Sequence, residues 1–197
     1  MDCSVLPILR KIQEKGYRVL PALKRKFILK KPFVIENGKG KITFKPSTYL
    51  EIFARIDFDH PLIGAQEYTF RYSPLNYLRE ISFARTFGFK NLLEERKRKG
   101  ILKGGNLSNA IVLDERGILT EEGLRTPDEF VRHKILDIMG DIYVLGAPLL
   151  AKIEALCSGH KLHIEALKTL YQLGLIEEVE ERAITFFWLP KKKGQAI

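Results

Sequence analysis

The sequence predicts an α+β fold of two layers, in which helices pack on a sheet. Strand-like segments joined by short turns come first in the 197 residues, and amphipathic helical segments follow them. Strands followed by helices are typical of an α+β fold rather than of alternating βαβ units. A chain of this length can bury one good core.

The strands are predicted from short apolar or alternating runs and from the turns that separate them. Pro32 breaks the first run, and Asn37 with Gly38 predicts a tight turn before the next. These signals place strands at residues 26–29, 33–35, 41–45, 49–58, 110–114 and 151–156.

The helices are predicted from apolar periodicity and from start and stop residues. Pro74 and Pro127 suit first helical positions, and Gly16, Gly100 and Gly146 suit helix ends. These signals place helices at residues 5–14, 74–81, 91–99, 127–145 and 161–173. In the fourth helix, Thr126 is predicted as the cap and Glu129 as its capping-box partner.

The net charge of +9 lies entirely in residues 1–48, which hold 12 Lys/Arg against 3 Asp/Glu. Such a segment is consistent with a solvated face, with attraction of a nucleotide diphosphate, or with contact with an anionic membrane surface. Nucleic-acid binding is not predicted, because the basic residues follow no single recognition helix and the sequence has no helix-turn-helix, zinc-finger or RNP-type motif.

Neither a membrane span nor secretion is predicted. No run of about 18 uninterrupted apolar residues occurs, and the N-terminus lacks an apolar core followed by a small-residue cleavage site. Cys3 and Cys157 are too few and too far apart for a disulfide framework. We therefore expect reduced thiols and a cytoplasmic location.

The candidate chemistry begins in the helix predicted at residues 127–145, where His133, Asp137 and Asp141 recur every four residues. That spacing puts the three side chains on one helix face, and an imidazole together with a carboxylate can bind one zinc ion. Catalytic zinc usually takes three protein ligands and a water, so His133 and Asp137 alone would be an incomplete site. An ordinary surface or capping pair is the alternative.

Three further motifs carry a resemblance to a known family. They are Arg85-Thr86-Phe87-Gly88-Phe89, Lys103-Gly104-Gly105-Asn106 with Asn109-Ala110-Ile111-Val112, and Ser158-Gly159-His160. In this order, with the histidine helix between the second and the third, the sequence resembles the UDP-3-O-acyl-N-acetylglucosamine deacetylases, the zinc amidases of lipid A biosynthesis. The resemblance runs from about residue 1 to about residue 170.

The resemblance implies a domain organisation. Residues 23–175 correspond to the second domain of the deacetylase fold, a sheet-and-helix sandwich with a small βαβ-like insert at about 90–112. Residues 1–22 correspond to the end of a first domain and a linker, and residues 176–197 to a C-terminal tail. In the family the first domain carries a Glu-His pair that supplies the general base and one zinc ligand, and this sequence has no such pair. We expect a separate first domain or self-association.

The resemblance also implies the site residues. His133 and Asp137 would bind Zn²⁺, and His160, held and charged by Asp141, would act as an acid/base group. Thr86 would donate to the oxyanion. Phe58 would lie near the nucleotide, Phe87 on the sugar and Lys134 on the substrate. The insert would line an acyl-chain tunnel through Leu93, Leu102 and Val112, and Gly105 would allow the backbone to approach the substrate closely. For each residue, an ordinary structural role is the alternative.

Several positions depart from the family pattern. Cys3 replaces a glycine, Cys157 stands where a lysine or another polar residue is common, and His163 replaces an asparagine. Gly40 falls where a lysine normally meets the diphosphate. His60 and His163 are weak candidates for a third zinc ligand, because neither lies on the helix that carries His133.

Two classes of function compete. The first is a zinc-dependent hydrolase that removes the acetyl group from UDP-3-O-acyl-N-acetylglucosamine, incomplete as this chain alone. The second is a binding or regulatory domain, or a catalytically incomplete remnant, that keeps the fold. The site residues favour the first, because a remnant has no reason to keep all of them. Because the substrate is anionic and carries lipid, we also expect peripheral contact with the inner membrane surface, and we expect no nucleic-acid partner.

Overall fold

The computed structural model describes residues 4–16, 23–100 and 110–182. The strands are β1 Leu23–Leu29, β2 Phe33–Asn37, β3 Gly40–Pro46, β4 Glu51–Phe58, β5 Gly64–Arg71, β6 Phe87–Phe89, β7 Ile111–Leu113, β8 Leu149–Leu156 and β9 Ile176–Arg182. The helices are α1 Leu6–Lys15, α2 Pro74–Asn76, α3 Lys90–Arg98, α4 Glu129–Ile142 and α5 His160–Gln172. A π-helical turn, Tyr77–Ile81, continues α2, and a 3-10 turn, Tyr143–Leu145, follows α4.

Strand β8 is the centre of a seven-stranded sheet. It pairs antiparallel with β3 and parallel with β4, and its first residues pair parallel with β1, where Phe27 lies opposite Leu149. Alternate residues of β8 are buried, namely Leu149, Ala151, Ile153 and Ala155. One face of the central strand therefore belongs to the core.

Helices α4 and α5 cover one face of the sheet, as the predicted two-layer α+β fold requires. Helix α4 packs on β4 and β5, and α5 packs on β2 and β3. The opposite face carries cross-strand ion pairs between partly exposed side chains, Lys41 with Glu36, Arg55 with Glu67 and Lys152 with Glu51. Such exposed pairs contribute little to stability, but they show that this face meets solvent.

The small βαβ-like unit consists of β6, α3 and β7. Strands β6 and β7 pair in parallel, with Phe87 opposite Ile111 and Phe89 opposite Leu113. The His60 Nε2 atom lies 3.0 Å from the Asp114 carbonyl oxygen, so the turn between β4 and β5 is tied to the end of β7. The fold class predicted from the sequence is confirmed, insert included.

Three strands, β5, β6 and β9, are not among those predicted. Strand β5 buries only Phe70, because it lies at a sheet edge and pairs with β4 alone among the described strands. Strand β9 lies in the segment predicted as a C-terminal tail, and its Ile176 is buried opposite Leu29 of β1. Strands β5 and β9 have few apolar residues and therefore carry almost no strand signal, and β6 is only three residues long.

The pairing of β9 with β1 changes the interpretation of the basic N-terminal segment. Arg25 Nη1 of β1 lies 2.9 Å from Glu178 Oε1 of β9, and Lys30 Nζ lies 3.4 Å from Glu177 Oε2. Part of the positive charge in residues 1–48 is therefore paired with an acidic strand.

Within the described ranges, no helix has the length and apolar character that crossing a bilayer requires.

The start of α4 also differs from the prediction. The helix begins at Glu129 rather than at residue 127, and Asp128 is its N-cap residue without a side-chain cap bond. Glu129 is fully buried. Its carboxylate accepts from the backbone N–H of Arg125 and from Arg85, so it joins distant segments instead of completing a capping box with Thr126.

Candidate functional site

A buried ion pair joins the two segments that carry the site. The side chains of Arg85 and Glu129 are 2% and 0% exposed, and Arg85 Nε lies 2.9 Å from Glu129 Oε1. A second bond runs from Arg85 Nη2 to Glu129 Oε2 at 3.0 Å. The pair holds the segment that continues into Thr86 and Phe87 against the first turn of α4.

His133 and Asp137 lie one turn apart on the same face of α4. His133 Nε2 is 3.3 Å from Asp137 Oδ1, and both side chains are mostly buried. Two ligand atoms bound at about 2.0–2.2 Å to a tetrahedral ion lie roughly 3.3 Å apart. The spacing fits a shared zinc ion. Lys134 Nζ lies 2.9 Å from the other oxygen of Asp137.

The electrostatics of His133 also fit a metal ligand. Burial lowers the pKa of His133, and the neighbouring Asp137 carboxylate opposes that effect. The neutral imidazole is therefore favoured, and it keeps a nitrogen lone pair that a metal ion can accept. A neutral nitrogen and a carboxylate oxygen are both ordinary zinc ligands.

Asp141, one turn further along α4, contacts two histidines of α5. Its Oδ2 atom lies 2.8 Å from His160 Nδ1 and 2.7 Å from His163 Nδ1. The three side chains offer ligand atoms within 4.8 Å of one another, so this group could hold a metal ion. In the structure the two imidazoles bond the carboxylate directly. The structure thus brings His160 and Asp141 together, as the resemblance implies.

His160 and His163 differ in their surroundings. The His160 side chain is 63% exposed, and its Nε2 lies 3.8 Å from Asp137 Oδ2, so it faces the His133 and Asp137 pair. The His163 side chain is buried, and its Nε2 lies 2.8 Å from Ser158 Oγ. Burial lowers the pKa of His163, while its bond to Asp141 acts in the opposite direction.

Sequence reasoning did not use the pairing of Ser158 with His163. The available signal is the three-residue spacing of His160 and His163 at the start of a helix, which places both imidazoles near one carboxylate. The serine, however, approaches His163 only because the turn after β8 leads directly into α5.

An aromatic cluster borders the candidate metal pair. The Phe87 ring centroid is 4.9 Å from that of Phe130, 5.5 Å from that of Phe58 and 6.1 Å from that of His133. Lys134 Nζ lies 5.6 Å from the Phe87 ring centroid. The structure therefore gathers Phe58, Phe87 and Lys134 beside His133.

The other predicted residues are placed less directly at this cluster. Thr86 is half-buried, and its carbonyl accepts from the Ile111 N–H at 2.8 Å. Leu93 packs against Gly88, where an added Cβ would lie 3.4 Å from it. Val112 is buried, and its N–H bonds to Thr120 Oγ1. Leu102 and Gly105 lie outside the described residues.

The predicted third-ligand candidates are both engaged elsewhere. The ring of His60 lies 5.3 Å from that of Phe89, and its Nε2 bonds to Asp114 in the insert. His163 bonds to Asp141 and Ser158. Neither histidine contacts His133 or Asp137 in the described bonds.

Comparisons with known proteins identify the family of the chain. A family model described as UDP-3-O-acyl N-acetylglycosamine deacetylase matches residues 1–172. A curated UDP-3-O-acyl-N-acetylglucosamine deacetylase of Syntrophus aciditrophicus is 41% identical over 172 residues, which are 87% of this chain and 55% of the relative. One of Helicobacter hepaticus is 39% identical over 196 residues, or 96% of this chain and 66% of the relative.

A third relative of the same name, from Myxococcus xanthus, is 41% identical over 163 residues, covering 83% of this chain and 52% of its own length. The chain thus spans about half to two thirds of the length of these relatives. The family model covers most of the sequence and includes all of the residues gathered around His133 and Asp141. The chain belongs to the UDP-3-O-acyl N-acetylglycosamine deacetylase family.

Proposed function

We propose that this chain contributes one part of a zinc-dependent active site that removes the acetyl group from UDP-3-O-acyl-N-acetylglucosamine in lipid A biosynthesis. The observation that carries the proposal is the 3.3 Å separation of His133 Nε2 and Asp137 Oδ1, with His160 Nε2 facing the same carboxylate. Membership of the deacetylase family agrees with it.

His133 and Asp137 would hold the zinc ion. When bound there, zinc would polarise the amide carbonyl and lower the pKa of a bound water. The chain's own contribution is to keep His133 neutral by burial and to balance the charge of Asp137 with Lys134.

His160 would supply the proton that the leaving amine needs. A carboxylate only accepts hydrogen bonds, so the Asp141 contact keeps the proton on Nδ1 and orients Nε2 towards the reacting bond. In its imidazolium form His160 can donate the Nε2 proton to the amine. Thr86 would donate its hydroxyl hydrogen to the developing oxyanion.

The substrate contacts follow from the aromatic cluster. Phe87 would pack on the sugar ring, with Phe58 in edge contact behind it on the nucleotide side. Lys134, on the same side of Phe87, would bond a polar group of the substrate. In the insert, Leu93, Leu102 and Val112 would border the acyl chain, and Gly105 would allow close approach of the backbone.

A third zinc ligand and the base that activates water would come from a second protein segment. The sequence has four histidines, and those other than His133 and His160 are engaged with Asp114, Asp141 and Ser158. The surface offered to that segment includes the exposed Ile8 and Ile12 of α1. Self-association through this face is the alternative partner arrangement.

The proposal also includes a cytoplasmic location and peripheral contact of the basic residues 1–48 with the inner membrane surface. The pairing of β1 with the acidic β9 supports only a limited role for this contact, because Arg25 and Lys30 already have carboxylate partners. Sedimentation with anionic vesicles at 0.15 M salt would measure it.

The decisive experiment adds the Glu-His-bearing first domain of a family member to residues 1–197 in trans. We expect weak zinc binding and negligible deacetylation by the chain alone, and both to rise with the added domain. Asp137→Asn should weaken zinc binding at least about 10-fold, whereas Asp57→Asn, on an outward-facing position of β4, serves as the matched control.

Two outcomes would contradict the proposal. Turnover at ordinary enzyme rates by the chain alone would show that the base and third ligand lie within it. Tight substrate binding with no turnover in any combination would favour the alternative, a binding or regulatory domain that keeps the deacetylase fold.

A further inference from the structure

Ser158 occupies a sharp turn between a central strand and a helix. Strand β8 ends at Leu156 and α5 begins at His160, so only three residues connect them. Cys157 takes a φ of 44°, the one left-handed non-glycine conformation among the described residues. A non-glycine residue in this region is uncommon, and it marks a sharp change of chain direction between β8 and α5.

A chain of hydrogen bonds runs from this serine to a carboxylate. Ser158 Oγ lies 2.8 Å from His163 Nε2, and His163 Nδ1 lies 2.7 Å from Asp141 Oδ2. Because the carboxylate can only accept, Nδ1 carries the hydrogen of a neutral imidazole, and Nε2 accepts from the Ser158 hydroxyl. This is the order of nucleophile, base and orienting acid found in serine hydrolases.

The surroundings suit such a group. The His163 ring is buried, so its orientation is held, while Ser158 is half-buried and borders an open surface depression of about 390 Å³. The depression is lined by Asn37, Gly40, Cys157, Ser158, Gly159, His160, Lys161 and Leu162. His160 and Lys161, the first two residues of α5, line the same depression. Their backbone N–H groups have no acceptor within the helix and would be the donors to an oxyanion.

We propose that Ser158, His163 and Asp141 form a second, metal-independent hydrolytic site that takes small carboxylic esters. Ser158 Oγ bonds to the acyl carbon, and its proton passes to His163 Nε2. The carbon–oxygen bond to the leaving alcohol breaks, and that alcohol takes the proton from Nε2. Water then attacks the acyl-serine, returns a proton through His163 to Ser158 Oγ, and releases the carboxylic acid.

This inference goes beyond the deacetylase proposal, because it uses the second histidine bonded to Asp141 Oδ2, His163 instead of His160, and neither zinc nor a nucleotide sugar. It depends on the imidazole at position 163, where the family pattern has asparagine. An asparagine could still hydrogen-bond Ser158, but it cannot take a proton from it. The histidine is therefore the residue that makes the serine reactive.

The test uses an alkyl fluorophosphonate, which phosphonylates activated serines with loss of fluoride, on the full chain in the presence of EDTA. Intact mass and peptide mapping should show one adduct, at Ser158. Hydrolysis of 4-nitrophenyl acetate in EDTA should follow the same pattern, and both Ser158→Ala and His163→Asn should lower the rates at least about 100-fold. Thermal unfolding checks that each variant is folded.

Ser47→Ala is the matched control and should leave both reactions unchanged. In the described bonds, Ser47 Oγ accepts only from the Tyr49 N–H. Absence of an adduct at Ser158, or equal labelling of His163→Asn, would overturn the proposal and leave a purely structural hydrogen-bond chain. Labelling that occurs only when EDTA is omitted would also overturn it and indicate a metal group at Asp141. Neither probe needs zinc or the sugar nucleotide, so a missing adduct at Ser158 or equal labelling of His163→Asn leaves the deacetylase proposal standing.

Discussion

Replacing Glu129 by glutamine tests whether the buried ion pair with Arg85 organises the site. The Glu129 carboxylate accepts four hydrogen bonds, from Arg85 N, Nε and Nη2 and from Arg125 N, at 2.7–3.1 Å. Glu129→Gln keeps the shape but removes the negative charge, and its NH₂ group must face at least one of these donors.

The expected cost is large. Bonds to charged groups contribute about 1.5–3 kcal/mol each, and removing one member of a buried pair typically costs about 3–5 kcal/mol. We expect Glu129→Gln to lower the free energy of unfolding by about 3–4 kcal/mol, a substantial part of the roughly 5–15 kcal/mol of a typical domain. Urea unfolding measures it as a lower midpoint with an unchanged slope.

Two further variants make the test specific. Glu122 also pairs with Arg85, but its side chain is 56% exposed, so Glu122→Gln should cost less than about 1 kcal/mol. The double change Arg85→Met with Glu129→Leu should cost clearly less than the sum of the two single changes, because neither charge is left unpaired. A Glu129→Gln effect no larger than that of Glu122→Gln, or simple additivity, would refute the reasoning.

Three other variants probe the helix start, a close backbone approach and the core. A hydrogen bond from Arg132 lowers the pKa of Asp128. The ionised carboxylate therefore stabilises the fold at pH values above its ordinary pKa of 3.8, and the stabilisation is lost as the pH falls through the lowered pKa. Asp128→Asn should therefore lower the free energy of unfolding by about 1 kcal/mol at pH 7 and leave it unchanged near pH 2. Urea unfolding at each pH measures both values, and an equal loss at the two pH values would contradict this reasoning. Gly40→Ala would bring a Cβ within 3.2–3.3 Å of Leu162 and the Cys157 carbonyl and should lower the free energy of unfolding by about 1 kcal/mol or more. Gly117→Ala, with open space around the added Cβ, should not lower it. Ile153→Ala, in the buried face of β8, should cost about 3 kcal/mol, and a cost under about 1 kcal/mol would show that β8 is not central to the core.

The parts of the fold that follow from short-range pattern could be predicted. The long helix α4 and the short βαβ-like insert have strong local signals or motif support, and both are present. The edge strands β5 and β9 could not be predicted, because a strand with one partner needs few apolar residues. Strand β9 has mostly glutamates and is held by main-chain pairing and by basic residues of β1 that lie about 150 positions away.

The same division applies to the site. The four-residue spacing of His133, Asp137 and Asp141 is enough to align them, because a helix repeats every 3.6 residues. The bond between Asp141 and His160 follows from the family resemblance, and the structure has it at 2.8 Å.

What only the tertiary structure decided is which residues from distant segments share one partner. Arg85 meets Glu129 across 44 positions, and Asp141 meets both histidines of α5 across about 20. The sequence by itself determined the family, the helix faces and the residue types available for chemistry. It could not show that His163 connects Ser158 to Asp141, because that contact depends on how the turn after β8 places α5 against α4, and long-range packing of this kind has no local period to reveal it.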